Sequence, residues 1–267
     1  MSDWANHPLL VERRREFLAS PMHALTMTET LALAEAAMRE HKPLHHTVVN
    51  VAKLVNMGKN SELREDVAAA DLINVDGKGV VWGARLCGVR LPERVAGIDI
   101  MTQLFAVCAE KGFRPYLLGA EQAVLEAVRA RLAADYPTLV IAGMQDGYFK
   151  PEEEAAVVAA INASGADCLF VAMPTPRKER FLTRYRTVLT TSFVMGVGGS
   201  FDVYGGKVKR APRLVQALGM EWLFRVLQEP RRLWRRYYET NTAYAGLLWR
   251  EYRHSRARGE RGPRVAG

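Results

Sequence analysis

Between about residues 44 and 200 the chain alternates short, nearly unbroken apolar runs with amphipathic stretches, and this alternation narrows the accessible folds more than any other feature. The runs are TVVNVAKLV, ADLINVD, FRPYLLGA, TLVIAGM, DCLFVAM and TSFVMGVGG, each closing on or near Gly, Asn, Asp or Pro. Between them lie GIDIMTQLFAVCAEKG and EQAVLEAVRARLAADYP, which carry apolar residues at helical spacing. A strand that is apolar on both faces has to be covered on both faces. The pattern therefore predicts an α/β fold, a Rossmann-like parallel sheet flanked by helices. With 267 residues and 49% of them apolar, the chain has enough material for one large core, alone or with an appendage.

After Arg210-Ala211-Pro212 the pattern changes to long helices, ALGMEWLFRVLQEPRRLWRRYYETNTAYAGLLWREYRHSR. Pro230 cannot continue a helix without losing a hydrogen bond, so it starts a new helix or kinks one. Arg232, Arg235 and Arg236 share a helical face, with Leu233, Trp234, Tyr237 and Tyr238 beside it. The net charge of +8 resides here: residues 207–267 hold 15 Lys/Arg against 5 Asp/Glu, leaving 22 against 24 in residues 1–206. The expected organisation is a catalytic α/β domain over 1–206 and a basic helical appendage over 207–256. The Arg/Gly-rich end, RHSRARGERGPRVAG, reads as disordered, with the tail proper at 257–267. A basic, aromatic appendage suits an anionic membrane surface or a polyanion.

Cys87, Cys108 and Cys168 are odd in number and widely spaced, which argues against a disulfide framework or a zinc site and fits a reducing cytoplasm. The N-terminal MSDWANHPLLVERRREF places charges where a signal peptide needs its apolar core. No window approaches the roughly 18 apolar residues of a spanning helix, so a soluble or peripheral protein is expected.

In open parallel sheets ligands bind beyond the carboxyl ends of the strands. The residues at those ends are Asn50, Asp76, Gly119, Pro174 and Pro176, and Gly198-Gly199-Ser200-Phe201-Asp202. Glycines there serve turns, or let backbone N–H groups approach a diphosphate. Asp76, in LINVDGKG, is either a turn aspartate bonded to its own backbone or a general base for an attacking hydroxyl. Arg94, in PERVAGID, is either a surface ion-pair partner or a cation for the ligand. No DxD pair closes a strand, so no metal-bridged diphosphate is indicated and no cofactor is expected.

Eight motifs in unbroken order, NVAKLV, DGKGVVWG, ERVAGIDI, YLLGA, YPTLVIAGMQDGYF, PTPRKERF, GVGGSFDVYGGKVKRAP and EWLFRVLQEPRRLWRRY, resemble the WecG/TagA/CpsF family of bacterial glycosyltransferases over about residues 25–240. The resemblance implies a sheet similar to a Rossmann arrangement but classed separately, as GT-E type. It implies an inverting, metal-independent enzyme that moves a sugar from a UDP-sugar to a polyprenyl-diphosphate-linked saccharide on the cytoplasmic face of the inner membrane. By the same resemblance Asp76 is the base, Arg94 belongs to the donor pocket, Asn50 is the asparagine of a Thr-x-Asn motif and Asp202 binds the nucleotide ribose. Gly199 lies where backbone amides would meet the leaving UDP, and Arg225, Arg232 and Arg235 are the appendage arginines directed at the diphosphate and the membrane.

Two positions depart from the family's pattern. Val48 stands where the Thr-x-Asn threonine would be and Thr47 is displaced by one, which turns its hydroxyl to the other face of a strand. Lys178, in Pro176-Arg177-Lys178-Glu179, replaces a glutamine and offers a charge to a carboxylate on the sugar or to a phosphate. Both point away from N-acetylmannosamine towards another donor.

Two further readings stay open at this level. A nicotinamide-dependent oxidoreductase requires GxGxxG after the first strand and an acidic residue about 20 further on, and neither occurs in that context. A nucleic-acid-binding protein requires a reader motif, whereas the basic segment is interleaved with Trp, Tyr and Leu, so no nucleic-acid partner is expected. A homo-oligomer is compatible with each of these readings.

Overall fold

The structure, a computed structural model, describes residues 4–257, except for the side chain of Arg232. Among the described residues eight strands form two sheets. β1 (Arg14–Phe17) and β2 (Ser20–His23) make an antiparallel hairpin, while β3 (Leu44–Val49), β4 (Leu72–Val75), β5 (Pro115–Gly119), β6 (Gly143–Gln145), β7 (Cys168–Ala172) and β8 (Phe193–Gly196) form one sheet in the order β4-β3-β8-β7-β5-β6. Every pair in the larger sheet is parallel. Its first and last strands in sequence, β3 and β8, are neighbours, so Asn50 and the Gly198-Gly199 turn emerge from adjacent strand ends. Asn50 and Asp76 continue the β3–β4 register one step past Val49 and Val75, and the Asp76 N–H donates to the Val49 carbonyl at 2.8 Å.

The expected sheet is present, with two local differences. TLVIAGM is not a strand along its length: β6 covers only Gly143–Gln145 at the sheet's edge, and Leu139 and Ile141 pack half-buried from a loop. In TVVNVAKLV the strand stops at Val49, because the Asn50 side chain accepts the Lys53 N–H at 2.9 Å and caps the helix Val51–Lys59. The two stretches with helical spacing form helices Gly97–Lys111 and Gln122–Asp135, the first ending at Gly112 in the left-handed region. Pro230 begins the helix Pro230–Ala257, so residues 253–257 of the Arg/Gly-rich end are helical; residues 258–267 lie outside the described residues.

The two faces of the sheet differ. One carries a single apolar cluster joining Leu44, Leu117, Phe170 and Met195 to helices Met27–Glu40, Gly97–Lys111 and Gln122–Asp135. Within it Phe105 and Phe170 meet edge to face at 5.0 Å, worth about 1 kcal/mol beyond their burial. The other face carries two separate clusters, one around Val49, Ile73 and Val75 and one around Leu118, Val171 and Val194. Between them runs a buried polar seam that includes His45, Thr47, Lys53, Lys178 and Glu179. The hairpin covers the free edge of β4, where the Ile73 N–H donates to His23 Nδ1 at 3.1 Å, so the edge strand is not left open.

The C-terminal helix is anchored in this core. Tyr244, Leu247 and Leu248 join the cluster around Val49, and the Tyr244 hydroxyl donates to the Gly79 carbonyl at 3.0 Å. No described helix is long and apolar enough to cross a membrane.

Candidate functional site

Asp76 sits where β4 gives way to a turn made possible by Gly77, whose φ of +130° is open to glycine but rarely to other residues. Its Oδ2 accepts the backbone N–H of Gly97, the first residue of helix Gly97–Lys111, at 3.3 Å. No bond from the Asp76 carboxylate to its own turn is present among the described contacts, so the simple turn role is not what this side chain does. Although part of its surface reaches solvent, the carboxyl is packed closely by protein, and that burial raises its pKa above the ordinary aspartate value. Arg94 and the Gly97 N–H oppose the rise, Glu221 adds to it, and Arg225 opposes it.

Arg94 links this carboxylate to a cleft. Its side chain is 11% exposed; Nη1 lies 3.0 Å from Glu221 Oε2 and Nη2 lies 3.6 Å from Asp99 Oδ2. Asp99 is also held by Arg210 at 2.6 Å. The cleft, about 530 Å³, is lined by Lys78, Trp82, Glu93, Arg94, Arg213 and Gln216 among others. That volume is sufficient for a nucleotide-sized ligand; with Arg94 paired to Glu221 and Asp99, it is Lys78 and Arg213 against Glu93 that favour an anionic one. One wall is the segment after Pro212, held by a bond from Lys78 Nζ to the Ala217 carbonyl. Gly219 lies so close to Lys78 and Trp82 that a Cβ there would stand 3.1 Å and 3.2 Å from them.

The other expected residues are distributed around the same end of the sheet. Asn50 is exposed and its side-chain oxygen caps a helix. Gly199 is exposed beside Gly198, which has a φ of +53°, and Asp202 follows in a short helix with Lys207 Nζ 4.0 Å from its Oδ1. Arg225 is exposed on the helix Glu221–Gln228 and acts electrostatically on Asp76. Arg235 is not brought to Asp76: it pairs with Glu239, one turn along its own helix, at 2.8 Å. The helix of Arg232 is described, but its side chain lies outside the described residues.

Lys178 belongs to the polar seam. Its Nζ is 2.6 Å from Glu179 Oε1 and also donates to Thr175 Oγ1, while Lys53 Nζ approaches the same Glu179 oxygen at 2.9 Å and donates to Thr47 Oγ1 at 3.1 Å. Burial, then the Lys53 charge, lowers the Lys178 ammonium to about 8. Burial alone would raise the Glu179 carboxyl, but the two ammoniums outweigh it and hold it down. Thr47 and Val48 point to opposite faces, as their alternation along a strand requires: Thr47 joins this seam, and Val48 packs 3.6 Å from where a Cβ of Gly97 would be.

Three contributors carry no local sequence signal. Glu221 and Gly97 reach the site through contacts between distant segments, and Tyr148, 72% exposed, stands near Lys207 and hence near Asp202. Among the described residues no group of three or more His, Cys, Asp or Glu side chains is placed to hold a metal ion.

Fold and site define an α/β protein whose six-stranded sheet is all parallel, with a desolvated carboxylate and a cationic cleft at the carboxyl ends of its strands. The model of the Glycosyl transferase WecG/TagA/CpsF family matches residues 15–258, and the chain belongs to this family. That membership favours glycosyl transfer in cell-envelope polysaccharide synthesis over the oxidoreductase and nucleic-acid readings.

Proposed function

We propose that the protein is an inverting, metal-independent glycosyltransferase using a UDP-sugar donor and a polyprenyl-diphosphate-linked saccharide acceptor. The observation that carries this reading is the juxtaposition of Asp76 with Arg94, which also lines the cleft. A carboxyl with a raised pKa is a stronger base than an ordinary aspartate and accepts a proton more readily from an acceptor hydroxyl. As that hydroxyl attacks the anomeric carbon from the face opposite the diphosphate, the new C–O bond forms, the bond to UDP breaks, and the configuration inverts. Arg94, Arg213 and Arg225, with backbone amides at Gly199, take up the charge on the leaving UDP. Asp202 receives the ribose hydroxyls and Tyr148 offers an exposed ring to the base.

The segment from Arg213 to Arg236 docks on the cytoplasmic face of the inner membrane in this reading. Leu214, Leu227 and Trp234 are 72%, 71% and 58% exposed, and Arg213, Arg225, Arg231, Arg235 and Arg236 are exposed among them. Each basic residue near an anionic leaflet contributes about 1 kcal/mol, and the apolar side chains add burial in the interface.

The donor differs from N-acetylmannosamine because Val48 removes a hydroxyl beside the site and Lys178 adds a cation to the seam. Two ammoniums share one carboxylate there, so a carboxylate or phosphate on the donor would complete the set. Incubating purified protein with a panel of UDP-sugars, including UDP-glucose and UDP-glucuronate, and a lipid-diphosphate acceptor tests the reading. Transfer from at least one donor, with inversion, supports it; hydrolysis alone or no reaction across the panel contradicts it.

A further inference from the structure

We propose that Glu221 is a latch carboxylate: it seats the helix Glu221–Gln228 on Arg94 and is exchanged for the diphosphate of a nucleotide, an inference that rests on Arg94 being a diphosphate-binding residue. Arg94 already faces two carboxylates, Glu221 at 3.0 Å and Asp99 at 3.6 Å, and Asp99 is shared with Arg210 at 2.6 Å. The two guanidiniums and two carboxylates form a neutral quartet. A diphosphate added to Arg94 would meet the Glu221 charge at close range, and with Arg94 only 11% exposed, water screens that repulsion poorly.

Of the two carboxylates, Glu221 is the one able to leave. Asp99 is held by a second arginine and sits in the first turn of a buried helix. Glu221 has Arg94 as its ion-pair partner and opens a helix of eight residues with no buried residue. The same helix carries the replacement charge. Arg225 lies four residues on, on the face it shares with Glu221, and both act on Asp76. A shift that withdraws Glu221 therefore leaves Arg225 beside the incoming diphosphate, while Lys78 and the close approach at Gly219 hold the preceding segment in place. Because coupling is reciprocal, a nucleotide that displaces Glu221 loosens the helix, and removing the Glu221 charge tightens nucleotide binding.

The test uses the full-length protein, UDP as the probe, and the variants Glu221→Gln and Glu221→Asp. Calorimetry is expected to show UDP binding about five- to tenfold tighter to E221Q than to wild type. E221D, which keeps the charge, is expected to lie much closer to wild type. Amide exchange across residues 221–228 is expected to be faster in E221Q without nucleotide, and faster in wild type once UDP is added. Equal or weaker UDP binding by E221Q, or unchanged exchange in it, overturns the latch. If UDP binds neither protein, the diphosphate role of Arg94 and the displacement of Glu221 by nucleotide both fall. Faster exchange in E221Q then still identifies Glu221 as the contact that seats the helix.

Discussion

The backbone N–H of Gly97 lies 3.3 Å from Asp76 Oδ2, which ties the first residue of one helix to the carboxylate at the end of β4. This bond and Arg94 stabilise the charged carboxylate against a burial that disfavours it. Gly97→Pro removes the bond and puts the ring's Cδ where the N–H pointed, so the Asp76 carboxylate also has to move aside. Proline is well accommodated at the first helical position, and Ala96 before it is already extended, with φ −79° and ψ 135°. Losing the N–H raises the Asp76 pKa further, so the acid limb of a pH–rate profile should move to higher pH while the protein stays folded. A profile that does not move would show that the bond does not tune Asp76.

Gly83 faces the C-terminal helix so closely that a Cβ would overlap the Tyr244 hydroxyl and stand 3.2 Å from Leu248 Cδ1. Gly83→Ala gains up to about 1 kcal/mol in helix propensity but forces Tyr244 away from the Gly79 carbonyl, at a cost of about 1–3 kcal/mol. Urea unfolding should show a net loss of about 1–2 kcal/mol. An unchanged or raised midpoint would mean that the helix is not seated as described.

Three buried histidines make the fold sensitive to acid. Burial, first, lowers His23, His45 and His46 to about 4, with Arg14 assisting at His23 and Arg186 at His45. Their unfolded values are about 6.5, so between about pH 4 and 6.5 the unfolded chain binds more protons than the folded one. Stability is therefore complete above about pH 6.5 and lost as pH falls through that window, on the order of 3 kcal/mol per histidine at its lower end. Urea midpoints at pH 7.5, 6.5 and 5.5 should fall in that order. A flat series would contradict the burial of these rings.

Removing residues 207–267 would also strip Tyr244 and Leu248 from the core, so membrane docking is better tested by point changes. Leu214→Glu combined with Leu227→Glu places two charges on exposed apolar positions without touching buried ones. Flotation with anionic vesicles should fall at least severalfold while the unfolding free energy stays within about 0.5 kcal/mol of wild type. Retained flotation would move the docking surface elsewhere.

The sheet was legible because strands buried on both faces leave long apolar runs. TLVIAGM misled for a related reason: Leu139 and Ile141 are apolar because a loop packs them on the core, not because they pair in a ladder. The hairpin Arg14–His23 gave no such signal, since β1 is three exposed charged residues before Phe17 and its partner begins Ser-Pro. At the site, Asp76 stood out by its place after a strand, and Arg94 by the motif ERVAGIDI that the family resemblance singles out. Glu221 and Gly97 did not, because each acquires its role from a partner far along the chain: Arg94 for Glu221 and Asp76 for Gly97. Lys178 was visible as an added charge, but the approach of Lys53 to the Glu179 oxygen it shares comes from a helix far away in sequence.

In the proposed reaction Asp76 is the base, and one substitution tests that role directly. Asp76→Asn keeps the shape of the side chain and the acceptor for the Gly97 N–H but removes the proton-accepting charge. The measurement is the transfer rate of purified D76N protein from a productive UDP-sugar to a lipid-diphosphate acceptor, alongside its UDP affinity. Transfer should fall about 10²- to 10⁴-fold, with UDP binding within a few-fold of wild type. Transfer by D76N at the wild-type rate would contradict that role.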